Sequence, residues 1–125
     1  TGGYVGVYSV GGFLGKAGDL NAMLDHIDYL VKRFGAEHVA IGTDIAYFPQ
    51  GANAEWRKAG PRPKSRTRYE ALWPQGAMDG PTHQSLSWTN WPMFTVGMVQ
   101  RGMKDDDIRK VLGGNVMRVI SAVLS

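Results

Sequence analysis

The chain has 125 residues, of which 43% are hydrophobic and 20% charged, and its formal net charge is +3. These values are typical of one globular unit, and the length excludes a complete (β/α)8 barrel, which takes about 250 residues. No apolar run approaches the roughly 20 residues that span a bilayer, and the start lacks a secretion-signal pattern, so a soluble protein is expected. Because cysteine is absent, the chain has neither disulfides nor thiolate metal ligands.

The first predicted element is a buried strand over residues 3–10, which are rich in β-branched and aromatic side chains and flanked by glycines. A loop is expected from Gly11 to Gly18. It lacks the glycine spacing and the Lys-Ser/Thr pair of a nucleotide-binding loop, so a phosphate site is not favoured.

An amphipathic helix is predicted next, between Asp19 as its N-cap and Gly35 as the residue that ends it. Its apolar residues recur at helical spacing: Leu20, Met23, Leu24, Ile27, Leu30, Val31 and Phe34. Asp28 precedes Lys32 by one helical turn, a spacing that predicts an ion pair.

A short apolar run, Val39–Gly42, then stops at Thr43 and Asp44. A strand, a helix and a second strand in this order predict a βαβ unit with parallel strands and a right-handed crossover. Both strands then end on the same side of the sheet, where parallel sheets and barrels bind ligands, so residues 8–13 and 44–47 are expected to be neighbours. Asp44 is the leading candidate for a functional residue; alternatively, it merely starts a turn or caps a helix.

Residues 45–87 contain several prolines and predict a long irregular segment, interpreted as an active-site or lid loop. Six basic residues lie between Trp56 and Trp73, with Tyr69 also close by, and basic residues combined with aromatic ones can serve single-stranded nucleic acid. In so short a run, a solvated face or a clamp for a substrate carboxylate is favoured. His83 is interpreted as an exposed side chain rather than a ligand.

The C-terminal third is predicted to be helical. One helix opens at Asn90-Trp91-Pro92, since proline is tolerated in a first turn. A second starts near Lys104 and is interrupted at Gly113-Gly114-Asn115, after which residues 116–124 carry a last apolar face.

Two clusters have the composition of metal sites. Asp25, His26 and Asp28 share one helix, but adjacent helical positions point apart, so structural roles are favoured over metal binding. The three aspartates at 105–107 are better explained as a solvated first turn that complements the helix dipole.

Four stretches follow one another along the chain: Gly2-Gly3-Tyr4-Val5-Gly6-Val7-Tyr8, Asp25-His26-Ile27-Asp28-Tyr29, Val39–Asp44 and Asp106–Val119. Together they resemble the C-terminal part of the renal (membrane) dipeptidase family, which are zinc peptidases. The resemblance covers both ends of the chain and leaves out about 49–87. It implies an α/β fold in which residues 1–125 form the last two βα units of a (β/α)8 TIM-type barrel of the metal-dependent amidohydrolase kind.

The implied activity is that of a zinc-dependent dipeptidase, a hydrolase that cleaves dipeptides through a metal-bridging hydroxide. Asp44 matches the family's aspartate at the end of the final strand, which passes a proton from the bridging water to the leaving amine. Tyr8, Phe13 and Tyr47 are the expected substrate contacts, although Phe13 lacks the hydroxyl of the family's tyrosine. The family commonly follows this aspartate with a hydrophobic residue, a second acid and a glycine, whereas here Ile45 is followed by Ala46 and Tyr47. The second acid is therefore absent, which implies an altered substrate preference.

The binuclear zinc ligands lie, by the same resemblance, on earlier strands that this chain does not contain. His26, His38 and His83 do not match them, so no metal ligand is expected within the chain. The expected partners are a complementary N-terminal segment of the barrel, without which the chain is inactive, and a small peptide substrate. A homodimer of the full assembly is an open alternative, while nucleic acid and a membrane span are not expected.

Two other functions stay open. The altered loop after Asp44 suits an amidohydrolase-type enzyme acting on another amide or ester, and loss of the zinc ligands would leave a non-catalytic barrel homologue used for binding. Thr1 as an N-terminal nucleophile is disfavoured because nothing nearby supplies a base. The compartment is undecided between cytoplasmic and periplasmic or secreted.

Overall fold

A computed structural model of the chain describes residues 2–15, 18–44 and 90–125, together with Lys58 and Leu86. The elements in these ranges are strands β1 (Val5–Tyr8) and β2 (Val39–Gly42) and helices α1 (Gly11–Leu14), α2 (Leu20–Phe34), α3 (Trp91–Gln100), α4 (Asp105–Arg109) and α5 (Asn115–Leu124). A 3-10 turn, Ala36–His38, precedes β2, and a π-helical turn, Lys110–Gly114, joins α4 to α5. The predicted loop at 45–87, including Tyr47 and His83, falls outside the described residues except at positions 58 and 86.

The two strands pair in parallel, as the order of the elements predicts. Val5 lies opposite Val39, and Tyr8 lies opposite Gly42. The prediction of a buried first strand is wrong, because Val7 is the one residue of β1 that is buried and Val5 is 52% exposed. The first three residues of β2 are buried, since the π-helical turn packs against this strand. Within the described part of the chain no strand lies beside the outer edge of β1.

Helix α2 has both of its predicted ends. The Asp19 carboxylate accepts a hydrogen bond of 2.9 Å from the amide of Ala22, which satisfies a free donor of the first turn. Gly35 has a φ of 91° and ends the helix, and its amide donates to the Val31 carbonyl at 2.9 Å. This positive φ favours glycine, so a suitable capping residue is present at each end of the crossover helix.

The predicted Asp28 to Lys32 ion pair is replaced by a contact between helices. Arg101, directly after α3, donates to both Asp25 and Asp28 at 2.8 Å. The bond to Asp28 is the largest cause that raises the pKa of the Arg101 guanidinium; burial opposes it, and the bond to Asp25 adds a smaller increase. The Arg101 guanidinium binds two carboxylates of α2 at once. The amine of Lys32, which lies on α2 itself, does not.

The C-terminal helices attach to β2 through a buried amide. Asn115 is 2% exposed, and its Nδ2 donates to the carbonyls of Ala36 at 2.7 Å and Val39 at 2.8 Å. The predicted interruption at the glycine pair is confirmed, since Gly113 has non-helical backbone angles. This break lets α4 end and α5 begin with Asn115 against the start of β2.

One hydrophobic core joins these elements. Its buried members are Val7, Leu14, Ala22, Met23, Leu24, Ile27, Ala36, Val39, Ile41, Leu86, Phe94, Met98, Ile108 and Val111. The core therefore lies between α2, the strands and the C-terminal helices. No helix in the described ranges is both long enough and apolar enough to cross a membrane.

Replacing Asn115 with alanine tests this attachment. We expect Asn115→Ala to lower the free energy of unfolding by about 2–3 kcal/mol, because it removes two hydrogen bonds and leaves buried carbonyls without that donor. Urea denaturation measures the change. Ser121→Ala, at an exposed position of the same helix, is the control and should stay within about 0.5 kcal/mol. Equal effects of the two substitutions would contradict the proposed attachment.

Candidate functional site

The carboxyl ends of β1 and β2 are joined by two hydrogen bonds to one oxygen. The amide of Ser9 donates to the Thr43 carbonyl at 3.2 Å, and the Ser9 hydroxyl donates to the same oxygen at 2.6 Å. Ser9 is fully buried, with 0% exposure. We call the residues that follow the two strands here, Ser9–Phe13 and Thr43–Asp44, together with Tyr8, the carboxyl edge.

Asp44 extends from this edge with an exposed side chain. Its φ is 50°, the single positive value among the non-glycine residues that the structure describes. A left-handed conformation costs an L-residue about 1–2 kcal/mol, and aspartate tolerates it better than most. Such strain is found disproportionately at functional sites, where the surrounding structure holds it. The carboxylate is open to solvent at the carboxyl end of β2.

Tyr8 and Phe13 form an aromatic pair at the same edge. Their ring centroids are 5.9 Å apart and the rings meet at 60°, an edge-to-face arrangement. Both side chains remain accessible, at 40% and 42% exposure. In the strand ladder Tyr8 lies opposite Gly42, so two of the predicted substrate contacts and Asp44 belong to one edge. Tyr47, the third, falls outside the described residues.

Phe13 is carried by a short helix where a loop was predicted. The amide of Phe13 donates to the Val10 carbonyl at 2.9 Å, which starts the turn of α1. The backbone at Gly11 approaches that at Gly18 so closely that a Cβ on Gly11 would lie 2.8 Å from the Gly18 oxygen. Only glycine fits this contact. The glycines that suggested a loop thus close a compact turn that fixes Phe13.

His26 anchors the other end of α1. Its Nε2 lies 3.0 Å from the carbonyl oxygen of Leu14. Because a carbonyl only accepts hydrogen bonds, this ring nitrogen carries the proton. The contact is a structural one, as predicted for His26, and it connects Leu14, the residue after Phe13, to α2.

The clusters of metal-type ligands make other contacts. Asp25 and Asp28 bind Arg101, and Asp106 pairs with Arg109 at 2.9 Å at the solvated start of α4. In the ranges 2–15, 18–44 and 90–125, no three histidine, aspartate or glutamate side chains form a group able to hold a metal ion.

Reasoning from the sequence missed the role of Ser9 and the hydrogen-bond partner of His26. A signal for Ser9 was available, since it is a small polar residue directly after an apolar strand, at the position that matches Thr43 after β2. His26 gave no comparable signal, because its partner is a backbone carbonyl distant in sequence.

Comparison with protein-family models, curated proteins and solved structures finds no match to the chain. The dipeptidase resemblance thus rests on the residue pattern alone.

The backbone at position 44 makes a testable prediction about stability. The free energy of unfolding of Asp44→Gly should be about 1–2 kcal/mol higher than that of Asp44→Ala, because glycine adopts positive φ without the steric penalty of a Cβ. Urea denaturation compares the two variants.

Asp105 is the matched control, since it is also an exposed aspartate but lies in the first turn of α4. At this position the order should reverse: the free energy of unfolding of Asp105→Gly should be lower than that of Asp105→Ala by up to about 1 kcal/mol. If the glycine and alanine variants had the same order of stability at both positions, this would contradict a left-handed conformation at Asp44.

Proposed function

We propose that this chain forms the last two βα units of a (β/α)8 hydrolase barrel, a zinc-dependent dipeptidase that is active only when assembled with a complementary N-terminal segment. Asp44 acts as the acid and base of the reaction. The observation that carries the proposal is its exposed carboxylate, held with a φ of 50° at the shared carboxyl edge of two parallel strands.

Hydrolysis of an amide needs a proton removed from the attacking water and a proton delivered to the leaving amine. One carboxylate performs both tasks if it accepts the first proton and then releases it. A rigid position is required, because a displacement of about 1 Å at a reacting group costs on the order of 10²-fold in rate. The strand end and the anchored Thr43 carbonyl supply that rigidity for Asp44.

Zinc would supply the activated water of this reaction. The resemblance assigns its ligands to the complementary segment, and the contribution of the present chain is the proton carrier and part of the substrate surface.

The Tyr8–Phe13 pair supports a small substrate with an apolar side chain. The two accessible rings offer an aromatic surface next to the carboxyl edge. Aromatic and apolar walls with a few polar groups are typical of small-molecule sites. A dipeptide with an apolar residue fits this combination, since its side chain packs on the rings while its amide faces the carboxylate.

Apolar surfaces on two elements support assembly with another segment. The outer edge of β1 carries Val5, and α5 presents Met117, Val123 and Leu124 at 63%, 75% and 81% exposure. Large exposed apolar patches mark interaction sites, and an open strand edge accepts a further strand. A complementary strand beside β1 and a helix against α5 would remove both surfaces from water.

The enzymatic test uses the chain co-expressed with a complementary N-terminal barrel segment. We expect the two to co-elute in size-exclusion chromatography and to hydrolyse dipeptides in the presence of zinc. Asp44→Asn should lower kcat by about 10²–10⁴-fold, because the amide does not carry the proton. Asparagine tolerates positive φ as aspartate does, so the backbone is retained.

The control is Asp105→Asn, an exposed aspartate remote from the carboxyl edge, which should leave kcat unchanged. Lactones and N-acyl amino acids, assayed in parallel, separate a dipeptidase from a hydrolase of other amides or esters. A chain that does not associate with the second segment, or an assembly in which Asp44→Asn keeps full activity, would refute the proposal.

A further inference from the structure

We propose that Ser9 is a positioning residue, whose hydroxyl holds Asp44 in its left-handed conformation through the Thr43 carbonyl. The catalytic meaning of this role rests on the proposed function, whereas the conformational role does not. The observation behind it is the pair of hydrogen bonds, 2.6 Å from the hydroxyl and 3.2 Å from the amide, that Ser9 donates to one oxygen.

The geometry of a peptide bond connects this oxygen to the φ of Asp44. The Thr43 carbonyl and the Asp44 amide lie in one rigid plane. A rotation of this plane that leaves the chain on either side in place changes ψ of Thr43 and φ of Asp44 together, so a return of Asp44 to negative φ by this route requires the carbonyl to turn. Two donors from Ser9 on the oxygen oppose that rotation.

The burial of Ser9 makes the hydroxyl bond a required one. At 0% exposure the hydroxyl has no access to bulk water, and buried polar groups are almost always hydrogen-bonded. Ser9 also follows Tyr8 directly, so the residue that fixes the Asp44 peptide plane is attached to the aromatic pair.

The test reads the conformation of Asp44 by nuclear magnetic resonance on the isotopically labelled chain. A residue at positive φ gives a strong intraresidue nuclear Overhauser effect between its amide and α protons. We expect this signal at Asp44 in the unaltered chain and its loss in Ser9→Ala, which removes the hydroxyl and keeps the backbone donor. Ser9→Thr, which keeps a hydroxyl, should restore it.

Ser121→Ala, on the exposed face of α5, is the control and should leave the Asp44 signal unchanged. If Ser9→Ala lacks a dispersed spectrum, Ser9→Cys replaces it, since a thiol is a weaker donor of similar size, and a partial loss is expected. An undiminished Asp44 signal in a folded Ser9→Ala or Ser9→Cys chain would overturn the proposal. Because the readout is a backbone conformation, failure of dipeptide hydrolysis would leave this result standing and would count against the proposed function alone.

Discussion

The candidate site depends on the contact between the ends of β1 and β2 at the Thr43 carbonyl. Parallel pairing from Val5–Val39 to Tyr8–Gly42 brings the two ends to one side, and Ser9 then binds the residue after β2 twice. Without this contact Asp44 would still follow an apolar strand, but nothing in the described part of the chain would fix the orientation of the peptide bond that precedes it. With it, an exposed acid and an accessible aromatic pair share one edge.

The rest of the described structure keeps those two strands in place. An isolated pair of strands is marginal in water and needs packing on one face. Asn115 binds the carbonyls at the start of β2, and Arg101 holds α2 against the end of α3. The hydrophobic side chains of α2 fill the space between these attachments and the sheet. The described contacts that stabilise the sheet therefore lie mainly on the side of β2, while the outer edge of β1 is exposed.

Local signals in the sequence were sufficient for the helix ends, the glycine break and the position of Asp44 at a strand end. Asp19 and Gly35 cap α2 through bonds to residues of the same turn, so their effect does not depend on the rest of the fold. Contacts between distant residues were not predictable in the same way. The exposure of β1, the partner of Asp28 and the tether from His26 to Leu14 each depend on elements that a periodic pattern does not locate.

The proposed peptidase role would give a reason for the unusual backbone of Asp44, since strained conformations are found disproportionately at functional sites. The contact between the strand ends is tested most directly by the scalar coupling across the hydrogen bond between the Ser9 amide nitrogen and the Thr43 carbonyl carbon in the labelled chain. We expect a cross-peak between these two nuclei alongside those of the β1–β2 ladder. A ladder that is detected while this cross-peak is missing would contradict it.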